Sequence, residues 1–173
     1  MQRYDTTADM YNERYAKEQH AKYKKALESV GVEGLKVLDV GCGSGLFFKE
    51  VANHAQLVVG VDVSRKLLHK ALKQANFFGN VFVLQADADH LPLKDCIFDA
   101  VFSFTMLQNV PKPKETLSEM KRTTKRGSRV VVTGLKKAFS LNVFKDILEN
   151  SGMPIDDFID DEKINCYVAV LSA

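Results

Sequence analysis

Five short apolar runs alternate with segments of helical spacing through most of this 173-residue chain. Lys36 to Val40, Leu57 to Val61, Asn80 to Leu84, Phe98 to Phe104 and Arg129 to Thr133 read as buried strands. Leu46 to Ala52, Lys66 to Gln74 and Lys114 to Thr124 read as helices between them. Ser64 suits the cap of the second helix, and Gly127 suits the end of the third. Leu141 to Asn150 is a further helix, closed by Gly152 and Pro154. Strands joined through helices run parallel, so the pattern predicts an α/β sheet with helices on both faces. The last two apolar runs, near 155–159 and 164–171, leave no room for a helix between them. They are expected to form an antiparallel hairpin, giving seven strands of which one opposes the rest.

The first thirty residues are polar, with Tyr11, Tyr15, Tyr23, Ala26, Leu27 and Val30 at roughly helical spacing; they predict one or two helices ending near Gly31. The expected organisation is one domain over 1–173, a helical segment over 1–31 and a core over 32–173. An apolar fraction of 46% with 27% charged residues fits a globular domain and excludes a disordered tail. There is no apolar run of about 20 residues to span a membrane, and the N-terminus does not read as a secretory signal. Cys42, Cys96 and Cys166 lie too far apart for a disulfide framework or a zinc cluster. Cys96 and Cys166 read as packing residues, and the whole as a reduced, cytoplasmic protein. Net charge is +2. Nine basic residues between Lys112 and Lys137 face only Glu115 and Glu119 there. Either a polyanion-binding face or a solvated helix flank fits that run.

Asp39-Val40-Gly41-Cys42-Gly43-Ser44-Gly45 places a glycine loop at the first strand–helix turn. In an open α/β sheet, ligands bind beyond the carboxyl ends of the strands. Glycines serve there because the backbone turns tightly and a ligand must approach it closely. Asp62 ends the second strand, where a carboxylate can accept both hydroxyls of a ribose. Asp87 follows the third strand and suits an adenine amino group. The plainer readings are a helix cap for Asp62 and a turn for Asp87. A dinucleotide fingerprint would need its third glycine one residue later, and a P-loop would need Gly-Lys-Ser/Thr.

These segments resemble class I S-adenosylmethionine-dependent methyltransferases, whose core reads Val-Leu-Asp-x-Gly-Cys-Gly-x-Gly. The matching stretches are Val37–Gly45, Val61–Ser64, Ala86–Leu93, Phe98–Val101 and Arg126–Val130. The resemblance implies a Rossmann-like fold, a catalytic core over 32–173 and S-adenosylmethionine as cofactor, with S-adenosylhomocysteine as product. It implies that Asp39 and the loop of Gly41, Cys42, Gly43 and Gly45 hold the methionine end. Asp62 would hold the ribose, Val63 would flank the adenine, and Asp87 with Ala88 would read its edge. Phe104, at the end of the fourth strand, joins this set. Tyr15 resembles the tyrosine that caps the methionyl end in relatives, with Tyr11 the competing choice.

The acceptor is expected beyond the fourth strand, at Gln108 and Asn109. Many relatives carry a His-His pair there. Gln and Asn are not bases, but they can orient an acceptor by hydrogen bonds. The run Val132 to Lys137 leads almost directly into the last helix, so no inserted segment roofs the site. That resembles the minimal methyltransferases of the translation apparatus, which modify tRNA, rRNA or a protein. Some of these depend on a small zinc-binding activator. A quinone-type small-molecule enzyme and a non-catalytic binding subunit are the alternatives. Family strand order puts the third strand at an edge. Residues 80–86, with Phe77, Phe78 and Phe82 nearby, carry no charge and no proline. The expected partner at that edge is the activator, or a second copy of the chain.

Overall fold

The computed structural model describes residues 19–173. Helix α1 covers 19–29, so the expected end near Gly31 is met; Tyr11 and Tyr15 lie outside the described residues. The strands are β1 (Lys36–Val40), β2 (Leu57–Asp62), β3 (Val81–Gln85), β4 (Phe98–Ser103), β5 (Thr124–Leu135), β6 (Ile155–Ile159) and β7 (Cys166–Ser172). The helices are α2 (Phe48–Val51), α3 (Arg65–Ala75), α4 (Pro113–Thr123) and α5 (Leu141–Glu149). They build one seven-stranded sheet in the order β3-β2-β1-β4-β5-β7-β6. Strands β1 to β5 pair in parallel, and β7 runs antiparallel to both β5 and β6. The expected Rossmann-like sheet and terminal hairpin are therefore present.

Successive side chains of a strand point to opposite faces, and here both faces are covered. Val37 packs with Tyr23, Ala26, Phe48 and Ala71 on one side. Leu38 packs with Leu117, Met120, Phe144 and Leu148 on the other. Gly60 allows close approach on the first face: a Cβ there would stand 2.4 Å from Phe48 Cζ. The rings of Tyr23, Phe47, Phe102 and Phe104 contact one another at centroid distances of 4.7 to 5.9 Å, which fastens α1 to the end of β4.

Two differences from the sequence reading bear on the site and the sheet. The helix expected over 46–52 is a single turn, Phe48–Val51. Gly41, Gly43 and Gly45 all have positive φ, so helical geometry cannot begin until the chain has passed them. Gly127 does not end α4, which passes straight into β5 at Thr124. It lies instead in the β4–β5 bulge, where pairing jumps from Phe98–Thr124 to Ala100–Arg129, with φ +75°.

At the amino ends of the strands, Asp99 of β4 accepts from Lys36 N of β1 at 2.9 Å and from Lys125 Nζ of β5 at 2.5 Å. Burial alone would raise Asp99. The bonds from Lys125 and Lys36 outweigh it and hold the carboxyl below its ordinary range. Among the described residues no helix is long and apolar enough to cross a membrane.

Candidate functional site

Parallel pairing sets the carboxyl ends of β1, β2, β3 and β4 side by side. Asp39 is level with Gly60 and Phe102, and Asp62 is level with Gln85. The glycine loop starts there. Gly41 N and Cys42 N both donate to Val61 O, at 2.8 and 2.9 Å. Gly41 has φ +77°, and a Cβ on it would stand 2.6 Å from Met106 Cγ. The position thus excludes a side chain both by conformation and by space.

Asp62 ties this loop to the next turn. Its Oδ2 accepts from Gly43 N and its Oδ1 from Ser64 N, each at 2.8 Å. A carboxylate offers about four lone-pair sites. A carboxylate at this strand end can also accept from the hydroxyls of a ribose. The cap reading falls to Ser64, whose Oγ accepts from Leu67 N at 3.3 Å. Val63 stands beside Asp62 as an exposed apolar side chain, 41% accessible, suited to one face of a planar base.

Asp39 is 2% exposed. Burial, reinforced by the negative charge of Asp62, pushes its pKa up to about 8. A ligand carrying positive charge would return Asp39 to its ionised form, so the acid chemistry of the site fits a sulfonium and an ammonium. Burial also pushes the Cys42 thiol well up, with Asp39 and Asp62 adding to it. Cys42 packs, its Sγ facing Gly43 O at 3.9 Å.

Asp87 lies two residues past the end of β3 in an exposed turn, where its Oδ1 accepts from Asp89 N at 3.1 Å. The turn role holds, and Ala88 beside it is half-buried. The Phe104 ring belongs to the aromatic cluster of the core rather than to an open site surface. Gln108 and Asn109 sit in a short 3-10 helix, Leu107–Asn109, and both donate to Thr105 O, at 2.6 and 3.1 Å. They brace the turn after β4. Asn109 is exposed, and Gln108 is half-buried.

Several site residues were not singled out from the sequence. Thr105 has φ +57°, rare for a β-branched residue. It receives Lys22 Nζ at 3.0 Å and Gln19 Nε2 at 3.4 Å, and its N–H donates to Thr133 Oγ1 at 2.7 Å. Gln19 and Lys22 are 2% and 1% exposed. Their positions fall on the helical stripe of Tyr23 and Ala26, so two polar residues within that stripe were the available signal.

One expectation fails elsewhere, and one open choice is decided. Cys96 is exposed with φ +52°, so it is not a packing residue. The basic run is largely neutralised at short range. Arg122 binds Glu119 and Asp95, Lys125 binds Asp99, Arg129 binds Asp156, and Lys136 binds Asp160. The acidic C-terminal residues are partners of that run, which favours the flank reading over a polyanion face.

The description of the methyltransferase domain family matches residues 38–132. The chain belongs to that family. Its fold is that of the class I S-adenosylmethionine-dependent methyltransferases. The chain is 33% identical over 144 residues to the demethylmenaquinone methyltransferase of Staphylococcus aureus, covering 80% of this chain and 59% of that one. It therefore spans about three fifths of that relative's length. A SAM-dependent methyltransferase from Aquifex aeolicus superposes with a TM-score of 0.86 at 21% identity, covering 96% and 97% of the two chains. A methyltransferase solved in complex with the Haloferax volcanii Trm112 methyltransferase activator superposes with a TM-score of 0.80 at 19% identity, covering 98% and 97%.

Proposed function

We propose that this domain methylates a macromolecule of the translation apparatus (tRNA, rRNA or a translation protein), with a small zinc-binding activator paired to the free edge of its sheet. The observation that carries this reading is β3. Among the described residues no strand lies beyond it, Phe82 is 58% exposed on it, and Phe77 is 80% exposed just before it. The flanking helices do not cover these two rings, although Phe78 packs against the core. Edges of this kind are normally blunted by charge or proline. Strand addition would satisfy the open backbone groups over 80–86 and bury the two rings. The Haloferax neighbour, which does assemble with an activator, matches this chain end to end. A second copy of this chain at the same edge is the competing occupant.

The acceptor side supports a large substrate. Only residues 136–140 separate β5 from α5, so no inserted helix roofs the site from that direction. S-adenosylmethionine, when bound, supplies a methyl carbon made electrophilic by its sulfonium. Asp39 and Gly41, Cys42, Gly43 and Gly45 would hold the methionine end. Asp62 would hold the ribose, Val63 the adenine face, and Asp87 with Ala88 its edge. The chain's further part is positioning, worth up to roughly 7–11 kcal/mol of barrier when acceptor and methyl are aligned. Gln108 and Asn109 would orient the acceptor, which needs a base only if it must lose a proton.

The name of the Staphylococcus relative favours a second reading, methylation of a small quinone-type acceptor. One experiment separates the readings. The purified domain, alone and co-expressed with a Trm112-type activator, is incubated with methyl-labelled S-adenosylmethionine and an extract divided into RNA, protein and small-molecule fractions. Label in RNA or protein supports the proposal, and label only in the small-molecule fraction replaces it with the quinone-type reading. Size-exclusion chromatography tests the edge. Co-elution with the activator that is lost on Phe82→Lys is expected. A monomer that never co-elutes and ignores lysine at position 82 removes the activator. Binding without any transfer leaves a non-catalytic subunit.

A further inference from the structure

The basic run at 112–137 is largely neutralised, but a second concentration of cations is not. From Val63 to Ala86 the chain carries Arg65, Lys66, His69, Lys70 and Lys73 and no acidic residue. All five stand on α3, and all but the half-buried Lys70 are exposed. The helix turns Leu67, Leu68, Ala71 and Ala75 into the protein. Arg65, His69 and Lys73, spaced four apart, therefore form one row on its outward side. Among the described residues neither Arg65 nor Lys73 finds an acidic partner. Local stability does not explain this composition. Arg65 and Lys66 occupy the first turn, where cations oppose the helix dipole and no acid is present.

The row leads to the site. Helix α3 starts just after Asp62, at the carboxyl end of β2, with Ser64 as its cap. Arg65 thus stands at the rim of the site, and Lys73 lies about 12 Å farther along the helix axis. A line of cations with no acid among them fits a line of anions, which is what a nucleic acid backbone offers. A folded protein surface mixes both signs. We propose that the outward face of α3 is a guide for an RNA acceptor, holding its phosphate backbone on the approach to the site. This rests on the macromolecular reading above and narrows it to RNA.

Fluorescence anisotropy of the whole chain with a fluorescein-labelled oligouridylate tests it. The parent is expected to bind at low salt and to weaken as salt rises. Arg65→Gln together with Lys73→Gln should weaken binding roughly tenfold. The pair should also lower the slope of log affinity against log salt by about 1.4, two phosphates at about 0.7 each. A control pair, Lys24→Gln with Lys94→Gln, removes the same charge from exposed positions elsewhere and should change little. Matching unfolding midpoints show that the variants are folded, and Arg65→Glu with Lys73→Glu should then weaken binding further. No binding by the parent, or equal losses in the two Gln pairs, overturns the proposal. So does loss of activator co-elution in the α3 pair with RNA binding unchanged, which makes α3 a protein contact. Binding to phosphatidylglycerol vesicles in place of the oligonucleotide overturns it in favour of a membrane surface. The labelled-extract assay, at limiting RNA, separates this guide from the reading beneath it. Label that enters RNA equally well with the α3 pair, or that enters protein alone, overturns only the guide. Label confined to the small-molecule fraction overturns the macromolecular reading itself.

Discussion

Asp39→Asn should make the ligand-free protein more stable relative to the parent as pH rises. Asp39 keeps its proton in the folded chain up to about pH 8, because burial and the charge of Asp62 oppose ionisation. In the unfolded chain the same group ionises near an ordinary value of about 4. Between those two values the folded state holds more protons than the unfolded state. Stability therefore falls as pH rises, by about 1.4 kcal/mol per pH unit, and the loss is complete above about pH 8. The asparagine variant has no such dependence. Its buried carboxamide carries a fixed cost of about 1–3 kcal/mol, but that cost does not change with pH. The stability difference, variant minus parent, should rise by about 2.7 kcal/mol between about pH 5 and pH 7, two units at that slope. Urea unfolding at each pH, without cofactor, measures it. A difference that stays constant over this range refutes the argument that Asp39 is held protonated. Calorimetry on the same variant should find weaker S-adenosylmethionine binding, the usual exchange of stability for function.

Three further outcomes are expected. Asp62→Ala should weaken S-adenosylhomocysteine binding by about 1.5–3 kcal/mol in calorimetry, and undiminished affinity would remove its ribose role. Gly60→Ala would push a Cβ to within 2.4 Å of Phe48 Cζ; urea unfolding should register a loss of about 1–3 kcal/mol, whereas a neutral result would mean that Phe48 moves aside freely. Replacing Gln108 and Asn109 with Ala should lower methyl transfer, assayed on the fraction that accepts label, more than cofactor affinity. Loss of affinity alone would assign them to the cofactor.

The fold was legible because strand and helix periods differ and each apolar run is bracketed by turn residues. The glycine loop and Asp62 were legible for the same reason: a strand end followed by residues with special backbone freedom is a local pattern. What stayed hidden was non-local. Gln19 and Lys22 precede Thr105 by more than eighty positions, and only the folded chain brings them together. The reach of the basic run was hidden too, because Arg129 and Lys136 find Asp156 and Asp160 across the hairpin. Gly127 misled because a glycine after a helix usually caps it, whereas tertiary pairing placed this one in a bulge. Cys96 misled because composition favours burial of cysteine and says nothing of a tight turn.

The Asp99 clamp has a consequence for how such a domain can diversify. It joins the first, fourth and fifth strands at their amino ends, whereas the groups assigned to cofactor and acceptor sit at or beyond the carboxyl ends. Fastening and chemistry thus occupy opposite poles of one sheet. Gln108 and Asn109, half-buried and exposed in the turn after β4, can be exchanged without touching the clamp or the buried Leu107. A library confined to those two positions should yield mostly folded proteins with altered acceptor preference, whereas one confined to Asp99 and Lys125 should yield unstable proteins with unaltered preference.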